Sequence, residues 1–167
     1  MNTVVMHSSK YGATTRYAEW IAEELGGESG PVPTYSSADA LRDPGLWEDA
    51  DVLVLGVGLK GDTMRAADLI AALPPERVVL FTVGIQDPAT TDYSVIDAQL
   101  PEGLQGSGRV FHLRAHVDPS AGSGAAVINT HAAVETTMDR DAIAPIVAAA
   151  QALEAADANG AAGTNGA

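Results

Sequence analysis

The sequence predicts an open three-layer α/β domain, a parallel sheet of five strands between two layers of helix. Short apolar runs alternate along the chain with segments of helical period, the pattern of strands joined by crossover helices. Asp51-Val52-Leu53-Val54-Leu55-Gly56 is apolar on both faces, as a strand covered by helices on each side requires. Three loops rich in Gly, Ser, Thr or Asp (8–14, 56–62 and 83–93) all fall at the C-terminal ends of such strands, where open α/β sheets take ligands.

The elements follow in order. Residues 2–7 read as the first strand. Residues 14–25 read as an amphipathic helix with Tyr17, Ala18, Ile21, Ala22 and Leu25 on one face, stopped by Gly26-Gly27. A weak strand is expected near Val32–Tyr35, and a short helix around Asp39–Leu41 that Pro44 and Gly45 cut off. The central strand at 51–56 leads into a loop at 56–62, and a helix at 63–73 carries Ala66, Leu69, Ile70 and Leu73 before Pro74-Pro75. Arg77–Val83 is the next strand, a weak helix follows at 90–99, and Arg109–Arg114 is the last strand. The final helix is expected at 139–156 with Asp139 as N-cap. One domain thus spans 1–156. Residues 157–167 have nothing large to bury and read as a disordered tail, and 119–138 carry no assignable period.

Composition narrows the classes. At 167 residues, with 46% hydrophobic and 19% charged, the chain is long enough for one domain with a substantial core. It has no apolar run of membrane-spanning length and no leader pattern, so a non-secreted, cytoplasmic protein is expected. The absence of cysteine excludes disulfides and thiolate chemistry, and the four histidines lack the spacing of a zinc site. A net charge of −13 disfavours nucleic acid and anionic lipid. No Walker loop and no complete Gly-x-Ser-x-Gly elbow occurs. Gly56-x-Gly58-x-x-Gly61 follows the wrong strand for a dinucleotide fingerprint.

The first loop carries the chemistry. Backbone N–H groups at a helix N-terminus are unpaired and the dipole adds partial positive charge there, so the turn into the first helix is an anion site. Ser8, Ser9, Thr14 and Thr15 add hydroxyls, and Gly12 permits close approach of a ligand. The two lysines of the chain, Lys10 and Lys60, both fall in these loops, which suits an anionic ligand. A phosphate group is the natural guest.

Ser9-Lys10-Tyr11-Gly12-Ala13-Thr14 after the first strand resembles the flavodoxin phosphate loop, Ser/Thr-x-Thr-Gly-x-Thr. The longer string from Ser8 through Tyr17-Ala18-Glu19-Trp20-Ile21-Ala22 is similar to the branch that includes menaquinone-dependent protoporphyrinogen oxidases. The resemblance covers roughly 2–118 and the last helix. It implies a flavodoxin-like sheet of order 2-1-3-4-5 and FMN as cofactor. It places Ser8, Ser9, Lys10, Tyr11, Gly12, Ala13 and Thr14 around the phosphate and Gly58, Leu59 and Lys60 along one side of the flavin. Val83, Gly84, Ile85 and Asp87 lie along the other side, with Tyr93 in reach. Tyr11 and Ala13 depart from the family pattern, and with 5% aromatics the loops offer few rings for stacking.

Three functions follow from the resemblance. The first is an electron carrier working between a reductase and an acceptor protein. The second is an FMN-dependent oxidoreductase acting on a quinone, a porphyrinogen or another small organic molecule. The third is a domain of this fold that has lost flavin. Ala115–Met138, where the oxidases carry a basic aromatic insertion, has neither lysine nor aromatic residues, which disfavours a membrane quinone reaction and favours a soluble reductase or carrier. A deazaflavin or another phosphorylated ligand fits the same loops.

Overall fold

The computed structural model describes residues 2–9, 12–115 and 138–163. Five parallel strands form its sheet: β1 (Thr3–Ser8), β2 (Thr34–Ser36), β3 (Val52–Lys60), β5 (Val78–Gly84) and β6 (Val110–Arg114). Their spatial order is β2-β1-β3-β5-β6, and a short strand β4 (Thr63–Met64) pairs antiparallel with the end of β3. Leaving out that hairpin strand, this is the expected 2-1-3-4-5 order. It leaves β1 and β3 adjacent at the switch point, with Ser8 opposite Val57.

Side chains of the central strands alternate between two cores. Val5, Val54, Phe81 and Val83 pack with α1 (Ala13–Gly26) and the last helix, α5 (Ala144–Gly163). Met6, Leu55, Val57 and Leu80 pack on the other face. That face is covered by α2 (Ser37–Arg42), α3 (Ala67–Ala72) and α4 (Ser94–Asp97) through Ala40, Leu69, Ile70 and Ile96. Burial on both faces makes β3 and β5 read as continuous apolar runs. Among the described residues no helix is long and apolar enough to cross a membrane.

Four segments differ from the sequence expectation. Residues 56–60, expected as loop, continue β3, because Val57 remains in the core and Leu59 and Lys60 pair with Met64 and Thr63. Gly61-Asp62 makes the two-residue turn between them, with Gly61 at φ +59, which glycine adopts freely. The helix expected at 63–73 begins only at Ala67, because the hairpin takes Thr63-Met64 and Ala66 sits in the left-handed region at φ +59, ψ 33. The helix expected at 90–99 shrinks to Ser94–Asp97, since Asp87 and Asp92 hold the preceding segment in turns with the N–H groups of Ala89 and Ser94. The last helix runs through 157–163, where a tail was expected. The alanines there are strong helix formers and outweigh Asp157, Asn159 and Gly160. Asp139 does cap the entry, accepting from the Asp141 N–H at 2.9 Å ahead of a 3-10 turn into α5.

Candidate functional site

The site forms where β1, β3 and β5 end. The chain leaves β1 at Ser8, and Ser9 Oγ accepts the Gly12 N–H at 2.8 Å, closing the loop from within. Gly12 stands at φ +94, the position before α1, and a Cβ built there meets nothing within 4 Å. A side chain at this position would therefore meet open space rather than the rest of the protein. Ala13 and Thr14 form the first turn, both buried. Thr15 was a candidate donor, but its hydroxyl is engaged by His7 Nδ1 at 3.1 Å. Lys10 and Tyr11 lie outside the described residues.

Gly58 brings the second segment to the first. A Cβ added at Gly58 would lie 3.6 Å from both the Ser8 carbonyl oxygen and Thr14 Oγ1, and 3.4 Å from Arg65 Cδ. The Arg65 N–H donates to the Gly58 carbonyl at 3.0 Å, which ties the hairpin end back to β3. On the opposite face of the sheet Leu59 meets Gly84, its Cδ1 3.2 Å from a Cβ built there. Lys60 is exposed at the hairpin tip.

The third segment is more dispersed. Val83 turns into the core beside Leu113, so only its backbone faces the edge. Ile85 is 64% exposed and forms the outer rim. The carbonyl of Asp87 accepts from Thr91 Oγ1 at 2.6 Å and its carboxylate from Ala89 N at 3.0 Å, so this aspartate organises its own turn. Tyr93 stacks flat on His112, with centroids 3.7 Å apart and planes 8° from parallel. Burial pushes its hydroxyl pKa up.

The structure thus brings Ser8, Thr14 and Gly58 together, with Gly12 just before α1, and Leu59 with Gly84 on the opposite face of the sheet, while Tyr93 belongs to a separate polar cluster. In that cluster His112 Nδ1 meets the buried Thr82 hydroxyl at 2.6 Å, and Nε2 lies 3.4 Å from Asp97 Oδ1. Sequence reasoning missed both this cluster and Arg65. The other candidates are structural. Trp20 packs edge-on to Tyr17 at 5.7 Å, with the Arg16 and Arg140 guanidinium groups over its ring. Trp47 donates its indole N–H to Ala40 O at 2.9 Å.

Burial lowers the pKa of both His7 and His112, while the nearby carboxylates of Glu19 and Asp97 respectively pull it back up. The folded state therefore prefers neutral imidazole at both positions. The unfolded chain binds more protons below the ordinary value of 6.5, so stability is complete above that pH and falls as pH drops through it. Denaturant titrations at pH 7.5 and 5.5 are expected to show lower stability at the acid pH. The difference should shrink in a His7→Gln/His112→Gln variant; an equal difference would assign it to other groups.

The sequence profile described as Flavodoxin domain matches residues 4–116 of the chain. It does not single out the protoporphyrinogen oxidase branch. No curated protein matches. Among solved structures, a flavodoxin from the domain Archaea is 14% identical with a TM-score of 0.57, the match covering 92% of this chain and 99% of that one. Oxidised Flavodoxin 1 from Bacillus cereus is 16% identical with a TM-score of 0.48, over 83% of this chain and all of that one. At these identities the likeness concerns the fold alone.

Proposed function

The chain belongs to the flavodoxin domain family, and from that premise we propose that it binds FMN at the C-terminal edge of the sheet and carries electrons between a reductase and an acceptor protein in the cytoplasm. The observation that carries this reading is the approach of Gly58 at the end of β3 to Ser8 and to Thr14 in the first turn of α1, just after the left-handed Gly12. When bound, FMN supplies the electron transfer through its ring, and the protein supplies binding and electrostatics.

Each residue then has a stated task. The N–H groups at the start of α1 and the Thr14 hydroxyl hold the phosphate, and Ser9 fixes the loop by taking the Gly12 N–H. Ser8 and Ala13 contribute through the backbone. Lys10 and Tyr11 complete the loop in sequence. Gly58, Leu59 and Lys60 are assigned to one side of the ring and Val83, Gly84, Ile85 and Asp87 to the other, and the Leu59 side chain, packed on Gly84, swings aside to admit it. Tyr93 closes the rim from its place on His112. In a chain of net charge −13, added electrons meet an unfavourable field, which lowers the flavin potential, and Lys60 offsets part of it.

The test is the visible spectrum of the purified protein, followed by FMN titration if it is colourless. Flavin bands and saturable binding support the reading, whereas no binding overturns it. Ser9→Ala/Thr14→Ala is expected to weaken FMN by about 1–3 kcal/mol, the scale of hydrogen bonds to a charged group and of a buried donor left unmatched. Unchanged affinity would move the phosphate elsewhere.

A further inference from the structure

Among the described residues two arginines, Arg65 and Arg114, make no side-chain hydrogen bond or ion pair, and Arg114 is exposed whereas Arg65 is half-buried. Arg16, Arg42 and Arg140 pair with carboxylates of Glu19, Asp39 and Glu23. Arg77 and Arg109 donate to backbone carbonyls at Ala50 and at Pro75 and Val78. Among the described residues the Arg65 guanidinium has no such bond, although the side chain is half-buried and the molecule is strongly acidic. A half-buried guanidinium whose N–H donors are not taken up by the protein is available to an anionic ligand.

Its location identifies the ligand group. Gly58 opens on the α1 side of the sheet, where neighbouring Phe81 and Val83 also point. A single point there, the Cβ position at Gly58, is 3.4 Å from Arg65 Cδ and 3.6 Å from Thr14 Oγ1. The side chain therefore comes round the end of β3 toward Thr14 in the first turn of α1. The backbone is held for this. The Arg65 N–H is bonded to the Gly58 carbonyl at 3.0 Å, and the next residue, Ala66, keeps a left-handed φ of +59 that a non-glycine residue adopts only at a cost. A planar, permanently charged fork beside a ring of N–H donors matches a phosphomonoester dianion.

We infer that Arg65 is a specificity-determining residue of the cleft, pairing with the ligand's phosphate so that the chain selects FMN over riboflavin. The inference rests on the FMN reading above. The α1 N–H groups and the Thr14 hydroxyl position the phosphate, and Arg65 supplies countercharge from the β3–β4 hairpin. Discrimination between the two flavins then comes largely from a Coulombic contact, which added salt weakens.

The experiment is titration of FMN and of riboflavin, each at low and high salt, into the unaltered chain, Arg65→Gln and Arg65→Lys, with thermal melts to confirm folding. In Arg65→Gln the FMN Kd is expected to rise about 10- to 100-fold, the scale of a lost hydrogen bond to a charged group, while the riboflavin Kd stays put. Arg65→Lys should keep part of the preference, because it retains the charge and loses the fork. The salt dependence of FMN binding should flatten in Arg65→Gln. An FMN-to-riboflavin ratio that is the same in the unaltered chain and in Arg65→Gln overturns the role of Arg65 and leaves FMN binding standing. Failure of the unaltered chain to bind either flavin overturns the FMN reading and this inference together.

Discussion

Phe81→Ala is expected to cost about 3–5 kcal/mol of stability, read as a fall in the denaturant midpoint. Phe81 is fully buried at the centre of β5, and its ring lies over Gly56 of β3, its partner in the parallel register. A Cβ built at Gly56 would stand 2.2 Å from Phe81 Cζ and 2.6 Å and 2.8 Å from the two Cε atoms. The ring thus fills the space that any side chain at 56 would need. Gly56→Ala alone should destabilise by about 1–3 kcal/mol through overpacking. The decisive measurement is the double-mutant cycle with Phe81→Leu. Because the smaller side chain frees the space, the cost of Gly56→Ala should drop in that background, giving a coupling of about 0.5–3 kcal/mol. Strict additivity would show that the ring does not dictate glycine at 56. The consequence reaches the site, because Gly56 and Phe81 set the spacing of β3 and β5 just below the residues proposed to flank the flavin.

This pair also shows how far the sequence can be read. The runs at 52–55 and 78–83 announce themselves because a strand covered on both faces has no polar position to interrupt it. The loop after β1 is legible for a different reason: its donors are adjacent in sequence and lead directly into a helix of regular period. The hairpin at 58–64 was hidden, because Gly58, Lys60, Gly61 and Asp62 have the composition of a loop. The one signal that could have found it is the Gly-x pair between residues able to pair across a tight turn. Ala66 hid the true start of α3, since alanine is the best helix former and nothing local betrays a left-handed alanine. Arg65 was invisible for the same reason. Only the hairpin carries it to Gly58 and Thr14, contacts that local sequence does not encode. The His112 cluster likewise joins residues from β5, β6 and α4 with the residue before it, with no periodicity linking them.

Gly12→Val should both destabilise the fold and abolish the proposed FMN binding. At φ +94 and ψ −13, Gly12 holds a conformation that a β-branched residue adopts only under strain. The cost of a residue in such a sparsely populated region is about 1–3 kcal/mol. Sterics do not contribute within the protein, since an added Cβ meets nothing within 4 Å. Two effects thus separate cleanly. Gly12→Asn places a residue that tolerates left-handed backbone at the same point, so it should be the more stable of the two variants. Its side chain, however, adds bulk at the residue just before α1, next to where the phosphate is proposed to sit. Denaturant midpoints should therefore rank glycine above asparagine above valine, while FMN affinity should fall sharply in both variants. If Gly12→Asn bound FMN as tightly as the unaltered chain, the phosphate would have to lie away from this cradle. Riboflavin provides the internal control, because it has no phosphate to be displaced and its binding should be much less sensitive to the asparagine.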